Sequence, residues 1–183
     1  MAEGGALLRR YTGLNRYRGF ESLSLRHYLI VPPVVLLAMV GAVRAATFEA
    51  SVVGVPDGDS ITVMHQRQRV KVRLAGIDAP ERRQRFGNES RKALARLCRN
   101  RKALVTWTEK DDYQRLLGRV SCAGTDANAE QVRQGMAWVR YKQQHPELSG
   151  LQDAAQRERR GLWTQQAPTP PWDWRRRNPE KVK

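Results

Sequence analysis

From residue 48 the chain falls into short runs whose apolar positions recur every second residue. "FEASVVGV" is followed by "DGDSITVMH", a polar "QRQ" and "RVKVRLAGI". In the last of these Val70, Val72 and Leu74 alternate with Lys71, Arg73 and Ala75, the period of a half-buried strand. Short polar turns between three such runs predict an antiparallel meander. The period then changes. In "ESRKALARLCRN" the residues Ala93, Leu94, Leu97 and Cys98 fall at helical spacing. "ALVTWTEK" and "LLGRVSCAG" read as two further strands. "NAEQVRQG" reads as a helix started at Asn128 and capped by Gly135. "ELSGLQDAAQRERRG" reads as a third helix, with Gly161 as its stop. The end, "QQAPTPPWDWRRRNPEKVK", is rich in proline and charge and is expected to be irregular.

Five strands with a helix after the third is the order of a five-stranded OB-fold barrel, mainly β with helices, here three α-helices. Residues 46–165 would form this domain and residues 166–183 a basic, Pro/Trp-rich tail. Barrels of this kind commonly bind nucleic acid, although fold alone does not establish function.

Charge sharpens that picture. The 183 residues hold 33 Lys and Arg against 18 Asp and Glu, a formal +15. Such a field attracts phosphate, whether of nucleic acid or of a membrane surface. The N-terminal region differs in kind. Residues 28–43, "YLIVPPVVLLAMVGAV", carry no charge, follow five arginines and precede "RAA", the order of a secretory signal. Residues 1–45 are therefore read as a signal peptide or an N-terminal anchor. Cleavage places the protein outside the cytoplasm; retention ties it to a membrane through residues 28–43. The first 45 residues hold six basic and two acidic side chains, so 27 against 16 remain and the basic character belongs to the folded part.

Cys98 and Cys122 are the only cysteines, an even count that fits a disulfide in an exported chain; two unrelated buried thiols are the alternative. His27, His65 and His145 are scattered singly and read as surface residues rather than metal ligands.

The chemistry gathers in "DGDS" and "VRLAGIDAPE". Asp57 and Asp59 flank Gly58 at a strand junction, and Asp78 closes the third run. If the first and third segments are neighbours, Asp59 and Asp78 face one space, where two carboxylates repel unless a hard cation sits between them. A plain turn is the competing reading of "DGD". Glu81 lies three residues beyond Asp78, past the stiff Pro80. Arg73, at an inward-facing strand position, requires an anion: a bound phosphate, or Asp78 or Glu81 in an internal pair.

"DGDS", "VRLAGIDAPE", "DDYQR" and "VRQGMAWV", in this order, resemble the staphylococcal nuclease (thermonuclease) family, from about Phe48 to Trp163. The resemblance implies a five-stranded OB-fold barrel with three helices, and a calcium-dependent phosphodiesterase acting on DNA and RNA to give 3′-phosphate ends. It implies Asp59, Asp78 and the Ala79 carbonyl as calcium ligands. Glu81 would be the general base, and Arg73 and Arg115 the phosphate-binding arginines. Tyr113 and Tyr141 match aromatic positions near the nucleotide base. In the implied barrel the first helix caps one end, which can bring Cys98 to Cys122. The expected partner is nucleic acid, and no stable protein partner is implied, so the chain is read as a monomer.

Three departures from the family pattern stand out. Gln114 occupies a position usually held by glycine, which at positive φ costs about 1 kcal/mol and bears on the placement of Arg115. The polar stretch after Glu81 is short. Gln143 replaces a second aromatic residue. Trp138 and Trp163 are expected to pack rather than stack on bases; the basic aromatic tail with Trp172 and Trp174 either touches nucleic acid or folds back on the barrel, the second slightly favoured. A non-catalytic binding module is the competing function, but it has no need of a base beside a metal site. A membrane-tethered barrel binding anionic lipid is a third reading, tied to an uncut N-terminal segment.

Overall fold

The computed structural model describes residues 45–181; the proposed signal or anchor lies outside them except for its final Ala45, as do the last two residues. Strands β1 (Ala46–Gly54), β2 (Ser60–His65) and β3 (Gln68–Leu74) form the expected antiparallel meander. After the two-residue β4 (Ile77–Asp78) come helix α1 (Gly87–Cys98), β5 (Lys102–Lys110) and β6 (Leu116–Cys122). The short β7 (Thr125–Asp126), α2 (Ala127–Arg133), β8 (Trp138–Val139) and α3 (Pro146–Arg157) follow. β1 pairs with both β2 and β5, β5 with β6, and β6 returns to β3 in parallel. That last pairing closes a five-stranded mixed barrel and removes its open edges.

Inside lie Val52, Ile61, Val63, Val72, Leu74, Val105 and Val120, all essentially sealed. β-branched side chains dominate because a pleated, closed wall accommodates their stiff rotamers. Leu94 of α1 and Val132 of α2 are buried in the same core. Cys98, the last residue of α1, is disulfide-bonded to Cys122, the last of β6, with Cα atoms 5.2 Å apart. The pairing inferred from the resemblance is therefore present.

Several expectations need correction. α2 is capped by Asp126, whose side chain accepts from the Ala129 N–H; Asn128, the second residue of the helix, is buried, donating to the Ala75 carbonyl and accepting from the Val120 N–H. α3 ends at Arg157, and Gly161 opens a 3-10 turn instead of stopping the helix. The tail is not irregular. Pro171–Arg177 forms a fourth helix, α4, with Pro171 and Asp173 in its first turn and three arginines in its last. Proline is favoured at a helix start, and the charges complement the helix dipole. The tail also folds back as expected, with the Trp172 ring edge-on to Trp138 at 5.8 Å and Trp138 in turn on the buried Trp163 at 4.3 Å.

Candidate active site

Asp59 sits just before β2, and its position is set by packing. Gly58 does not have positive φ; what it provides is space, since a Cβ there would lie 1.8 Å from Ser90 Oγ of α1. The Gly58 carbonyl also accepts from Gln131 of α2, so two helices hold the "DGD" turn down. Asp59 does not reach Asp78 through neighbouring first and third strands. It does so through β2–β3 pairing, in which Ser60 lies opposite Arg73. Asp78 is not in the third strand but in β4, after a turn at Gly76. The Ala79 N–H donates to Asp59 Oδ2 at 2.6 Å, locking the two segments together.

Arg73 does not point into the barrel. Val72 and Leu74 take the inward positions, and Arg73 projects from the opposite face into a second, polar layer where its side chain is only 13% exposed. Its guanidinium pairs with Asp59 Oδ2 and with Asp78 Oδ1, the latter at 3.1 Å. Of the anions expected for Arg73, Asp78 is thus an internal partner. Burial is the largest influence on Asp59 and pushes its carboxyl up to about 7; Asp57 and Asp78 add to the shift, while Arg73 and the Ala79 N–H oppose it. Desolvation works against the charge on Arg73, but Asp59 and Asp78 outweigh it and hold its pKa above the ordinary arginine value.

These groups fit a hard divalent cation. The donors are carboxylate oxygens, no Cys or His stands among them, and a cation's charge would stabilise the ionised Asp59 that burial disfavours. Among the described residues no three His, Cys, Asp or Glu side chains cluster tightly enough to enclose a metal alone. A cation here would complete its shell with backbone oxygen, water or phosphate.

Glu81 stands beside Asp78. Its N–H donates to Gln84 Oε1 at 3.1 Å, which fixes the turn after Pro80. Two arginines that the sequence reading did not single out also face Asp78. Arg140 Nη1 lies 3.6 Å from Asp78 Oδ2. Arg175 of α4 lies 2.7 Å from the same oxygen, and its other nitrogen lies 2.8 Å from Glu81 Oε1. The hydrogen bond to Asp78 is the main cause raising the Arg175 pKa, against desolvation and with help from Glu81. Nothing in the local spacing marks Arg175; only the position of α4 does.

Arg115 belongs to a different environment. It follows the turn between β5 and β6, where Gln114 adopts φ 59, so the left-handed conformation usual for glycine is indeed required. Asp111 secures the turn, accepting from the backbone N–H groups of Tyr113 and Arg115 and from Arg115 Nε at 2.7 Å. Desolvation would raise the Asp111 pKa, but these hydrogen bonds outweigh it and hold it low. The Arg115 guanidinium lies 5.3 Å over the Tyr113 ring, which is 80% exposed. Tyr141, also exposed, lines a groove of about 590 Å³ with Trp138, Arg140 and Trp172.

The sequence also matches known proteins. The family described as "Staphylococcal nuclease homologue" matches residues 71–165. A protein of Escherichia coli named "Uncharacterized endonuclease" is 41% identical over 148 residues, covering 79% of this chain and 96% of its own. The "Micrococcal nuclease" of Shigella flexneri is 40% identical over 159 residues, covering 80% and 90%. An "Uncharacterized endonuclease" of Haemophilus influenzae is 35% identical over 159 residues, covering 86% and 88%. A barrel that sets two carboxylates around one arginine, with this match over most of its length, places the chain in the staphylococcal nuclease family.

Proposed function

We propose that this protein is a calcium-dependent endonuclease that hydrolyses phosphodiester bonds of DNA, RNA or both and leaves 3′-phosphate ends. The observation that carries the reading is the convergence of Asp59 and Asp78 on one guanidinium, with Glu81 alongside. In this reading Asp59, Asp78 and the Ala79 carbonyl hold calcium. The bound ion supplies an electrophile for the phosphate. Glu81 accepts the proton of the attacking water, a contribution of typically about 10²–10⁴ in rate. Arg73 and Arg115 bind phosphate oxygens through planar forks that a lysine cannot reproduce. Tyr113 and Tyr141 offer exposed rings to the bases. The reading includes export: the N-terminal order of basic, apolar and small residues and the Cys98–Cys122 bond both suit an oxidising compartment.

The test is cleavage of a labelled oligonucleotide with calcium, with magnesium and with a chelator. Cutting is expected with calcium and not in chelator, with magnesium substituting poorly because it gives up its waters reluctantly. Glu81→Gln, in calcium, is expected to lose at least about a hundredfold in turnover while still binding substrate. Full activity in chelator would overturn the metal assignment, and an unimpaired Glu81→Gln the assignment of the base.

A further inference from the structure

Ten residues beyond the family match, α4 brings Arg175 into the acidic site. The helix is held there by contacts that do not involve this side chain. Trp172 packs edge-on against Trp138, and the Thr169 carbonyl just before the helix accepts from Gln84 Nε2 at 2.7 Å. Gln84 also accepts from the Glu81 N–H, so one side chain ties the tail to the turn that positions Glu81. Arg175 is thus delivered by a packed scaffold, with its side chain 28% exposed.

Its fork takes both oxygens of Asp78, at 2.7 Å and 3.2 Å, and Glu81 Oε1 at 2.8 Å. Asp78 is 1% exposed. With Arg73 already on Asp78 Oδ1 and on Asp59, the carboxylates have guanidinium partners on two sides. A divalent cation ligated by Asp78 competes with Arg175, whose fork contacts both of its oxygens. The displaced guanidinium is then repelled by the ion yet kept close by its helix. A planar group with five donors in that position is suited to an anion with several oxygens, and a phosphodiester is such an anion. Arg140 is a weaker candidate, farther from Asp78 at 3.6 Å and 42% exposed. Trp172 lies three residues before Arg175, on the same face of α4, and lines the groove with Tyr141, so a nucleotide held by Arg175 would have an aromatic wall beside it.

We propose that Arg175 is a third phosphate-binding arginine of this site, held on Asp78 and Glu81 until cation and nucleic acid bind. The inference rests on the metal reading above and predicts effects of opposite sign. In calorimetric titration with calcium chloride and no nucleic acid, Arg175→Ala should bind calcium at least threefold more tightly than wild type. In saturating calcium the same variant should lose at least tenfold in kcat/KM on a labelled oligonucleotide. Arg175→Lys should recover only part of that loss. Arg175→Gln keeps much of the side-chain length and is read in the same way should the alanine variant fold poorly. Arg177→Ala, which removes an equal charge from the exposed end of α4, should change neither quantity. Unchanged calcium affinity overturns the proposal, as does an unchanged kcat/KM. Tighter calcium with a raised kcat/KM also overturns it, because the helix would then only block the site. Failure of the metal reading has its own signature: a wild-type protein that gives no calcium heat and cuts fully in chelator.

Discussion

Arg73 rises from a sheet pairing and reaches two carboxylates from different segments, whereas Arg115 follows a hairpin turn and reaches Asp111, four residues back. The first is 13% exposed and fixed by tertiary packing; the second is 26% exposed, pairs locally and leans over an open tyrosine ring. Both are the arginines that the family resemblance assigns to phosphate. The difference teaches that one arm is part of the folded core's charge balance, while the other belongs to a self-contained turn that can adjust without disturbing the barrel.

The strongest way to break this comparison is to truncate each arm. Arg73→Ala leaves Asp59 and Asp78 buried with one guanidinium fewer, and removing one partner of a buried pair costs roughly 3–5 kcal/mol. The lower end is expected, because Arg175 remains on Asp78. Arg115→Ala should cost less than about 1 kcal/mol, as for other partly exposed pairs, although both variants should lose activity. Denaturant unfolding without calcium measures both, and equal losses would abolish the distinction.

Reduction of Cys98–Cys122 comes next. The bond joins α1 to β6 and touches neither arm. Opening its loop should cost on the order of 3 kcal/mol by the loop-entropy account, while activity at moderate temperature stays nearly intact. A reduced protein that melts unchanged, or one that stays folded but inactive, contradicts this.

A smaller effect concerns pH. With burial holding the Asp59 carboxyl up to about 7 against an ordinary 3.8, the folded chain binds a proton across that window that the unfolded chain has released. Stability should therefore fall as pH rises from about 4 to 7. Calcium-free protein is expected to melt a few degrees higher at pH 5 than at pH 7.5, and saturating calcium to remove most of the gap. Asp111, held low, works the other way but only below its ordinary 3.8. A melting temperature that rises between pH 5 and 7.5 without calcium would refute the Asp59 account.

The smallest effect sharpens the picture of the second arm. Gln114→Gly relieves a left-handed backbone at a position of φ 59 and should stabilise by up to about 1 kcal/mol, offset in part by the extra freedom of glycine when unfolded. Because Asp111 already fixes Arg115, kcat should change less than twofold. A large gain in turnover would mean that Gln114 does misplace the arginine.

The same contrast marks what could be read in the sequence. Barrel strands alternate because one face is sealed, so β1, β2, β3, β5 and β6 were legible, as was the disulfide once the barrel order was in hand. Arg73 was harder: alternation gives the two faces of a strand but not which faces the core when both are covered, and the outer face here holds the polar layer. Spacing alone points to Asn128, yet Asp126 is the cap, because both residue types cap well and only the turn out of β7 decides between them. α4 escaped because seven residues after a proline-rich run show no period, and "WRRR" looks like a solvated end. Proline, then aspartate, then arginine in helix order was the signal available. That one of those arginines meets Glu81, 94 residues earlier, is set by tertiary docking and has no local trace.

The parallel pairing of β3 with β6 has a kinetic consequence. Val72 lies beside Leu116 and Arg73 beside Leu117, contacts about 44 positions apart in sequence, while Arg115 enters β6 at the same seam. Such long-range closure pays its loop entropy before it is rewarded and tends to form after the local hairpins. Arg73 and Arg115 would then come into register only as the barrel shuts. A partly folded chain, with its hairpins and helices made but the β3–β6 and β1–β5 pairings still open, would carry the full set of residues and no working site, so recovered cleavage during refolding would report these long-range closures and nothing earlier.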